Sequence, residues 1–147
     1  MKTKVIMSLI TIGLIIFVVI VSLTNNPDEG ATMGDVAFED GVINVYYFYG
    51  DGCPHCDAQF QFLERIEEEW GAYFNLYAFE VWFNEDNVVL LNDVAEILDM
   101  QVTGIPFTVI GEQTFTGFNE RMEEGFIEAI RTGANDDFDV FRSLVEQ

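Results

Sequence analysis

From Val5 to Leu23 the chain runs nineteen residues (VIMSLITIGLIIFVVIVSL) without a charge or a proline. At ~1.5 Å per residue a helix of that length reaches the ~30 Å of a bilayer's hydrocarbon, so the run predicts one N-terminal transmembrane helix. A core helix of a soluble domain would keep a polar face. Lys2 and Lys4 precede the run and Asn25, Asn26, Pro27, Asp28 and Glu29 follow it, which puts the N-terminus in the cytoplasm and the rest outside. A cleaved signal peptide is the rival reading, but its apolar region usually spans ~7 to 15 residues and ends at a small-x-small site, which Ser22 and Thr24 imitate poorly. Beyond the run, the polar and turn-prone stretch through Asp35, with Asn-Asn-Pro, Gly30 and Gly34, reads as a tether. The chain therefore divides into a stub and anchor (1–24), a linker (25–35) and a folded domain (36–147).

Within that domain, Val42 to Tyr49 (VINVYYFY) is a β-branched and aromatic run suited to a strand buried on both faces. Gly50-Asp51-Gly52 breaks it, and Pro54 stands at the first position of a helix, which makes Cys53 the N-cap. Apolar residues then recur at Cys56, Phe60, Leu63, Ile66 and Trp70, a helical stripe facing the core. Phe74 to Phe83 predicts a second interior strand with Glu80 its sole charge. A helix capped by Asn84 or Asp86 follows, with Leu91, Val94, Ala95 and Leu98 on one face and an end near Met100. Phe107–Ile110 and Thr114–Phe118 form a hairpin across Gly111-Glu112-Gln113, Asn119 caps a helix through Ile130 that Gly133 can stop, and Phe138 to Val145 adds a last amphipathic stretch. The order strand, helix, strand, helix, strand, strand, helix predicts an α/β fold: a mixed central sheet with helices on both faces. Ligands of such sheets bind at the carboxyl ends of the parallel strands, where Cys53 lies.

Composition narrows the functions. With 26 acidic and 6 basic residues the formal charge is −20, so counterion release from a phosphate backbone has no cationic surface to drive it and nucleic acid is excluded as a partner. Fourteen Phe, five Tyr and two Trp exclude an acidic disordered chain. No lysine occurs beyond Lys4, and only Arg65, Arg121, Arg131 and Arg142 carry positive charge in the domain, which reads as a solvated surface that resists aggregation.

The two cysteines, in Cys53-Pro54-His55-Cys56, carry the candidate chemistry. Residues i and i+3 of a helix lie on one face, near enough for a disulfide that opens and closes. At the helix N-terminus, unpaired N–H groups and the macrodipole favour a thiolate on Cys53, the nucleophile. A protonated His55 would add to that, whereas Asp51 and Asp57 would oppose it. Cys56 begins the apolar stripe and suits a shielded resolving thiol. A closed zinc site needs four ligands, and beside the two cysteines only His55 is at hand, so no metal is expected. A purely structural disulfide is poor value, because closing so short a loop removes little unfolded-state entropy.

Together, FYGDGCPHC (Phe48 to Cys56), VTGIPFTVIG (Val102 to Gly111) and FTGF (Phe115 to Phe118) resemble the thioredoxin superfamily across essentially all of the domain. The resemblance implies a thioredoxin-like fold, a cis peptide bond at Pro106 facing the cysteine pair, and substrate binding by the backbone of Ile105 beside Pro106. Cys-Pro-His-Cys is similar to the DsbA-type disulfide oxidases, but only 53 positions separate Cys53 from Pro106, too few for their helical insertion. The buried carboxylate that such proteins place six positions before the first cysteine is here Tyr47, and the usual preceding tryptophan is Gly52. Glu80 is a candidate substitute in proton relay, a surface carboxylate being the alternative. These readings imply a membrane-anchored, extracytoplasmic thiol–disulfide oxidoreductase. It would need no cofactor, and its partners would be exported protein thiols and disulfides or a membrane redox protein. The alternative is a thioredoxin-like binding or metal-handling adaptor without redox turnover.

Overall fold

A computed structural model of the chain describes residues 30–133 and 138–146. The expected span Val5–Leu23 lies outside them, and among the described residues no helix is long and apolar enough to cross a membrane.

Four strands form one sheet in the order β2-β1-β3-β4: β1 (Ile43–Tyr49), β2 (Phe74–Glu80), β3 (Phe107–Ile110) and β4 (Gln113–Thr116). β1 pairs parallel with β2, while β3 runs antiparallel to both β1 and β4. Helix α1 (Pro54–Trp70) crosses from β1 to β2, and α2 (Glu85–Ile97) returns from β2 to β3. After the hairpin come α3 (Glu123–Gly133) and the short α4 (Val140–Val145). This is the thioredoxin-like arrangement the motifs implied.

The alternation of β1 divides the core. Ile43, Val45 and Tyr47 pack with Phe62, Leu63, Ile66, Phe126 and Ile130, the layer of α1 and α3. Tyr46 and Phe48 point the other way, onto Leu90, Val94, Val140 and Phe141 of α2 and α4. Because side chains of a strand alternate between faces, a strand that is apolar throughout must be covered on both, as the sequence pattern of β1 required.

Several expectations need correction. β2 is not interior: it is an edge strand of mostly half-buried residues that ends at Glu80, and Trp82 and Phe83 beyond it are 52% and 79% exposed. Its apolar residues cover a sheet margin, and Ala31 donates a backbone hydrogen bond to the Ala78 carbonyl at 2.7 Å along that margin. Gly30 and Ala31, from the stretch expected as tether, therefore lie against this margin, and Thr32 and Asp35 close a capped, exposed 3-10 turn after them. On α1, Phe60 is 40% exposed while Gln59 and Phe62 are buried. The inward line is Cys56, Gln59, Phe62, Leu63 and Ile66, so the polar Gln59 takes the place expected of Phe60. On α2, Val94 and Ala95 are buried as expected, but Asn87 and Leu90 join them while Leu91 and Leu98 are only partly buried against the core. β4 begins one residue early and ends at Thr116, with Gly111-Glu112 as a two-residue turn. Asn119 caps a 3-10 turn (Glu120–Met122) that leads into α3.

Asp139 was not singled out by its sequence context. Its carboxylate caps α4 through the Phe141 and Arg142 N–H groups and accepts from the Tyr46 hydroxyl (2.7 Å) and the Asn44 amide (3.1 Å). This ties α4 to β1 across 93 residues of sequence. Desolvation, then the Asp139 charge beside it, pushes the Tyr46 phenol far above the ordinary tyrosine range.

Candidate active site

The site begins where β1 ends. Gly50 lies under the Trp82 ring: a Cβ there would come within 2.2 Å of the indole, so only glycine lets the two meet. Gly52 adopts φ +76°, left-handed backbone open to glycine at no steric cost, and turns the chain into α1. Cys53 is the N-cap, with extended backbone, and Pro54 occupies the first turn, where a missing N–H leaves no bond unmade.

Cys53 and Cys56 are joined in a disulfide with their Cα atoms 5.2 Å apart. The Cys53 sulfur accepts a hydrogen bond from the Cys56 backbone N–H at 3.3 Å, which is how an N-cap side chain satisfies an orphan donor of the first turn. When the bond is open, the same N–H and the positive end of α1 favour negative charge on that sulfur. Cys53 keeps 6% of its surface exposed, and Cys56, one turn inward, 1%.

Tyr47, in the position expected of a carboxylate, is fully buried, and its hydroxyl donates to the Cys56 carbonyl at 2.8 Å. Burial first, then the nearby Asp57 charge, raises its phenol well above the ordinary range, so it remains a neutral donor. The hydroxyl braces the first turn of α1 rather than supplying a base. The exposed Phe60 ring stacks with Tyr47 at 6.5 Å between centroids, and Tyr49 stacks with it at 5.4 Å.

The Ile105–Pro106 peptide bond is cis, as the resemblance implied. Phe107 pairs with Phe48, so Pro106 lies level with Tyr49, at the end of β1 from which the cysteine loop departs. The Pro106 carbonyl accepts from Gly117 N–H at 2.7 Å, and Ile105 packs against both core layers.

His55 is exposed and lines a cleft of about 400 Å³ with Ala58, Phe118, Asn119, Glu120 and Arg121. Glu80 is not an isolated acid in an interior strand. Its carboxylate accepts from the backbone N–H groups of Trp82 and Phe83 at 2.8 Å each and of Asp51 at 3.2 Å. Burial alone would raise its pKa, but these backbone donors, with that of Asn84, outweigh it and hold the carboxyl below the usual range. Glu80 thus fastens the loop ahead of Cys53 to the end of β2.

A further polar group was missed in the sequence. Gln59, fully buried one turn beyond Cys56, donates from its amide nitrogen to the Thr108 hydroxyl at 2.5 Å. The i, i+3 spacing from Cys56 is the signal that would have found it, since it keeps both side chains on one helical face. Among the described residues no group of three or more His, Cys, Asp or Glu side chains is placed to hold a metal ion.

No family model matches the chain, and no curated protein does. Among solved structures, it is similar to the glutaredoxin grx-1 of Archaeoglobus fulgidus, with 24% identity and a TM-score of 0.44 over 62% of this chain and 89% of that one. It is also similar to an uncharacterised thioredoxin-like protein of Clostridium perfringens, with 22% identity and a TM-score of 0.47 over 68% of this chain and 76% of that one.

Proposed function

We propose that the chain is an extracytoplasmic thiol–disulfide oxidoreductase, anchored by Val5–Leu23, that exchanges disulfides with exported protein clients or with a membrane redox partner. The observation that carries the redox reading is the placement of a disulfide on the first turn of α1, with the Cys53 sulfur at the helix N-terminus, accepting the Cys56 N–H, and Cys56 inward of it. The charge-free run behind Lys2 and Lys4 supports the anchored topology, and disulfide chemistry suits an oxidising compartment.

In the oxidising direction a client thiolate attacks the Cys53 sulfur, the Cys53–Cys56 bond breaks, and Cys56 departs with the electron pair and takes up a proton. A second client thiolate then attacks the client sulfur of the mixed disulfide and releases Cys53 as a thiolate. The client has lost two electrons to the cysteine pair, and of its two protons one rests on Cys56 and the other passes to solvent. In reverse, the Cys53 thiolate attacks a client disulfide and Cys56 resolves the adduct. Pro54 holds the cap, His55 stands on the exposed side of the pair, and the Ile105 backbone beside Pro106 receives an extended client segment.

Cys56→Ser removes the resolving thiol, so mixed disulfides through Cys53 should accumulate and disappear again in Cys53→Ser/Cys56→Ser. A Cys56→Ser protein that traps no client while the unsubstituted pair still cycles between oxidised and reduced forms would defeat this reading.

A further inference from the structure

Gln59 carries a buried acceptor with no donor. Its amide nitrogen is engaged by Thr108, yet its side-chain oxygen, wholly shielded from solvent, makes no hydrogen bond, and no other buried side-chain nitrogen or oxygen among the described residues is in that position. Such orphans are rare because they destabilise the state in which they occur. Its neighbours are the ones that matter for the disulfide. Gln59 follows Cys56 by one helical turn on the face of α1 that is buried against the sheet. Thr108, which holds its amide, stands directly opposite Tyr47 in the β1–β3 pair, and the Tyr47 hydroxyl reaches the Cys56 carbonyl. Gln59, Thr108 and Tyr47 therefore form a polar floor beneath the turn that bears the inner sulfur.

A closed disulfide has no hydrogen to give. When a client dithiol reduces it, the client's own S–S bond forms, the Cys53–Cys56 bond breaks, two electrons pass to the cysteine pair, and of the client's two protons one goes to solvent. The other comes to rest on the Cys56 sulfur and creates a donor inside this shielded layer. We propose that the Gln59 side-chain oxygen accepts the Cys56 S–H hydrogen bond in the reduced protein, so that the orphan exists only in the oxidised state. The site then stores a penalty in the disulfide form that opening relieves, which makes the pair a stronger oxidant. It also keeps the proton on Cys56, because an oxygen acceptor favours the thiol over the thiolate, and leaves thiolate character to Cys53. In this cycle Gln59 is a positioning residue that holds the proton on the inner sulfur. The inference deepens the oxidoreductase reading and rests on it.

Two measurements on the full chain test it. Equilibration against glutathione redox buffers should show that Gln59→Met, similar in length but without the acceptor, shifts the pair about tenfold toward the disulfide, which is ~30 mV for a two-electron couple. In reduced Cys53→Ser protein with Gln59 intact, the infrared S–H stretch of Cys56 should lie at the lower frequency of a hydrogen-bonded thiol. An unchanged equilibrium in a folded Gln59→Met protein, or a Cys56 band at the frequency of a free thiol, overturns the proposal. The infrared arm needs no change at Gln59 and so decides even where Gln59→Met does not fold. A protein whose cysteines never equilibrate with glutathione would instead sink the oxidoreductase reading itself.

Discussion

Replacing Glu80 by glutamine tests whether its carboxylate is a clamp or a base. One oxygen of the carboxylate accepts from Asp51 and Trp82 and the other from Phe83, so an amide keeps the first acceptor but turns an N–H group toward the Phe83 N–H. Hydrogen bonds to a charged group contribute about 1.5–3 kcal/mol each when shielded, but this carboxylate is solvated, and the loss of charge and of one acceptor should cost about 1–2 kcal/mol in all. For a domain of this size that is roughly a 5 °C fall in Tm. The sign with pH follows from the direction of the shift. The folded-state pKa lies below the ordinary 4.5, so the clamp's contribution is fully present above that value and is lost as pH falls through the lower folded pKa. Urea melts of the unsubstituted chain and Glu80→Gln should differ at pH 7, and the gap should narrow as pH falls below 4.5. A gap that does not narrow at all below pH 4.5 would refute the electrostatic origin. A Glu80→Gln protein of unchanged stability whose exchange rate loses its pH dependence between pH 6 and 8 would refute the clamp and restore proton relay.

Other outcomes follow from the same geometry. Asp139→Ala removes the α4 cap and leaves the buried Tyr46 hydroxyl and Asn44 amide short of an acceptor, so it should cost about 2–4 kcal/mol in a denaturant melt, with the cysteine equilibrium unmoved. Gly50→Ala drives a methyl into the Trp82 ring and should cost about 1–3 kcal/mol and shift the tryptophan emission, because the indole must leave the cysteine loop. Tyr46 and Tyr47 keep their protons in the folded chain well past the unfolded value of 10.0, so their contribution is constant below that pH and is lost above it. Tyr49 is raised as well, so stability from urea melts should be level from pH 7 to 9 and then fall, and Tyr47→Phe should lessen that slope by up to ~1.4 kcal/mol per pH unit.

The strands and the cysteine motif were legible because they are local. β1 announces itself by eight consecutive residues without a charge, and Cys53-Pro54 is a helix start written in two letters. The proline motif was legible for a different reason: VTGIPFTVIG was read by resemblance, since no periodicity tells that Pro106 would lie level with the end of β1. What failed were questions of neighbourhood. The apolar content of Phe74–Phe83 says that the segment covers something, yet whether a strand sits at the centre or the edge depends on which other strands find it, and β3 pairs on the far side of β1. Phe60 and Gln59 exchange their expected places because hydrophobicity alone does not fix direction: helix geometry points Gln59 at Thr108 and leaves Phe60 stacked with Tyr47. Asp139 was invisible because its partners on β1 are more than ninety residues away.

The two sulfurs lie one helical turn apart, Cys56 inward of Cys53, but the difference in exposure is only 6% against 1%. What separates them is the chemistry that each meets. Cys53 stands outside the helical ladder and receives an N–H, a fixed donor that strengthens as charge develops on the sulfur. Cys56 is inside the ladder, its own N–H given to Cys53 and its carbonyl held by a tyrosine that stays neutral. The polar group next along its face offers an oxygen rather than a donor. An arrangement with donors at the outer sulfur and acceptors near the inner one polarises the pair in one direction: negative charge outward, proton inward. That polarity needs no buried carboxylate, and on the proposed cycle it would let a chain with tyrosine at position 47 keep its two thiols in different roles.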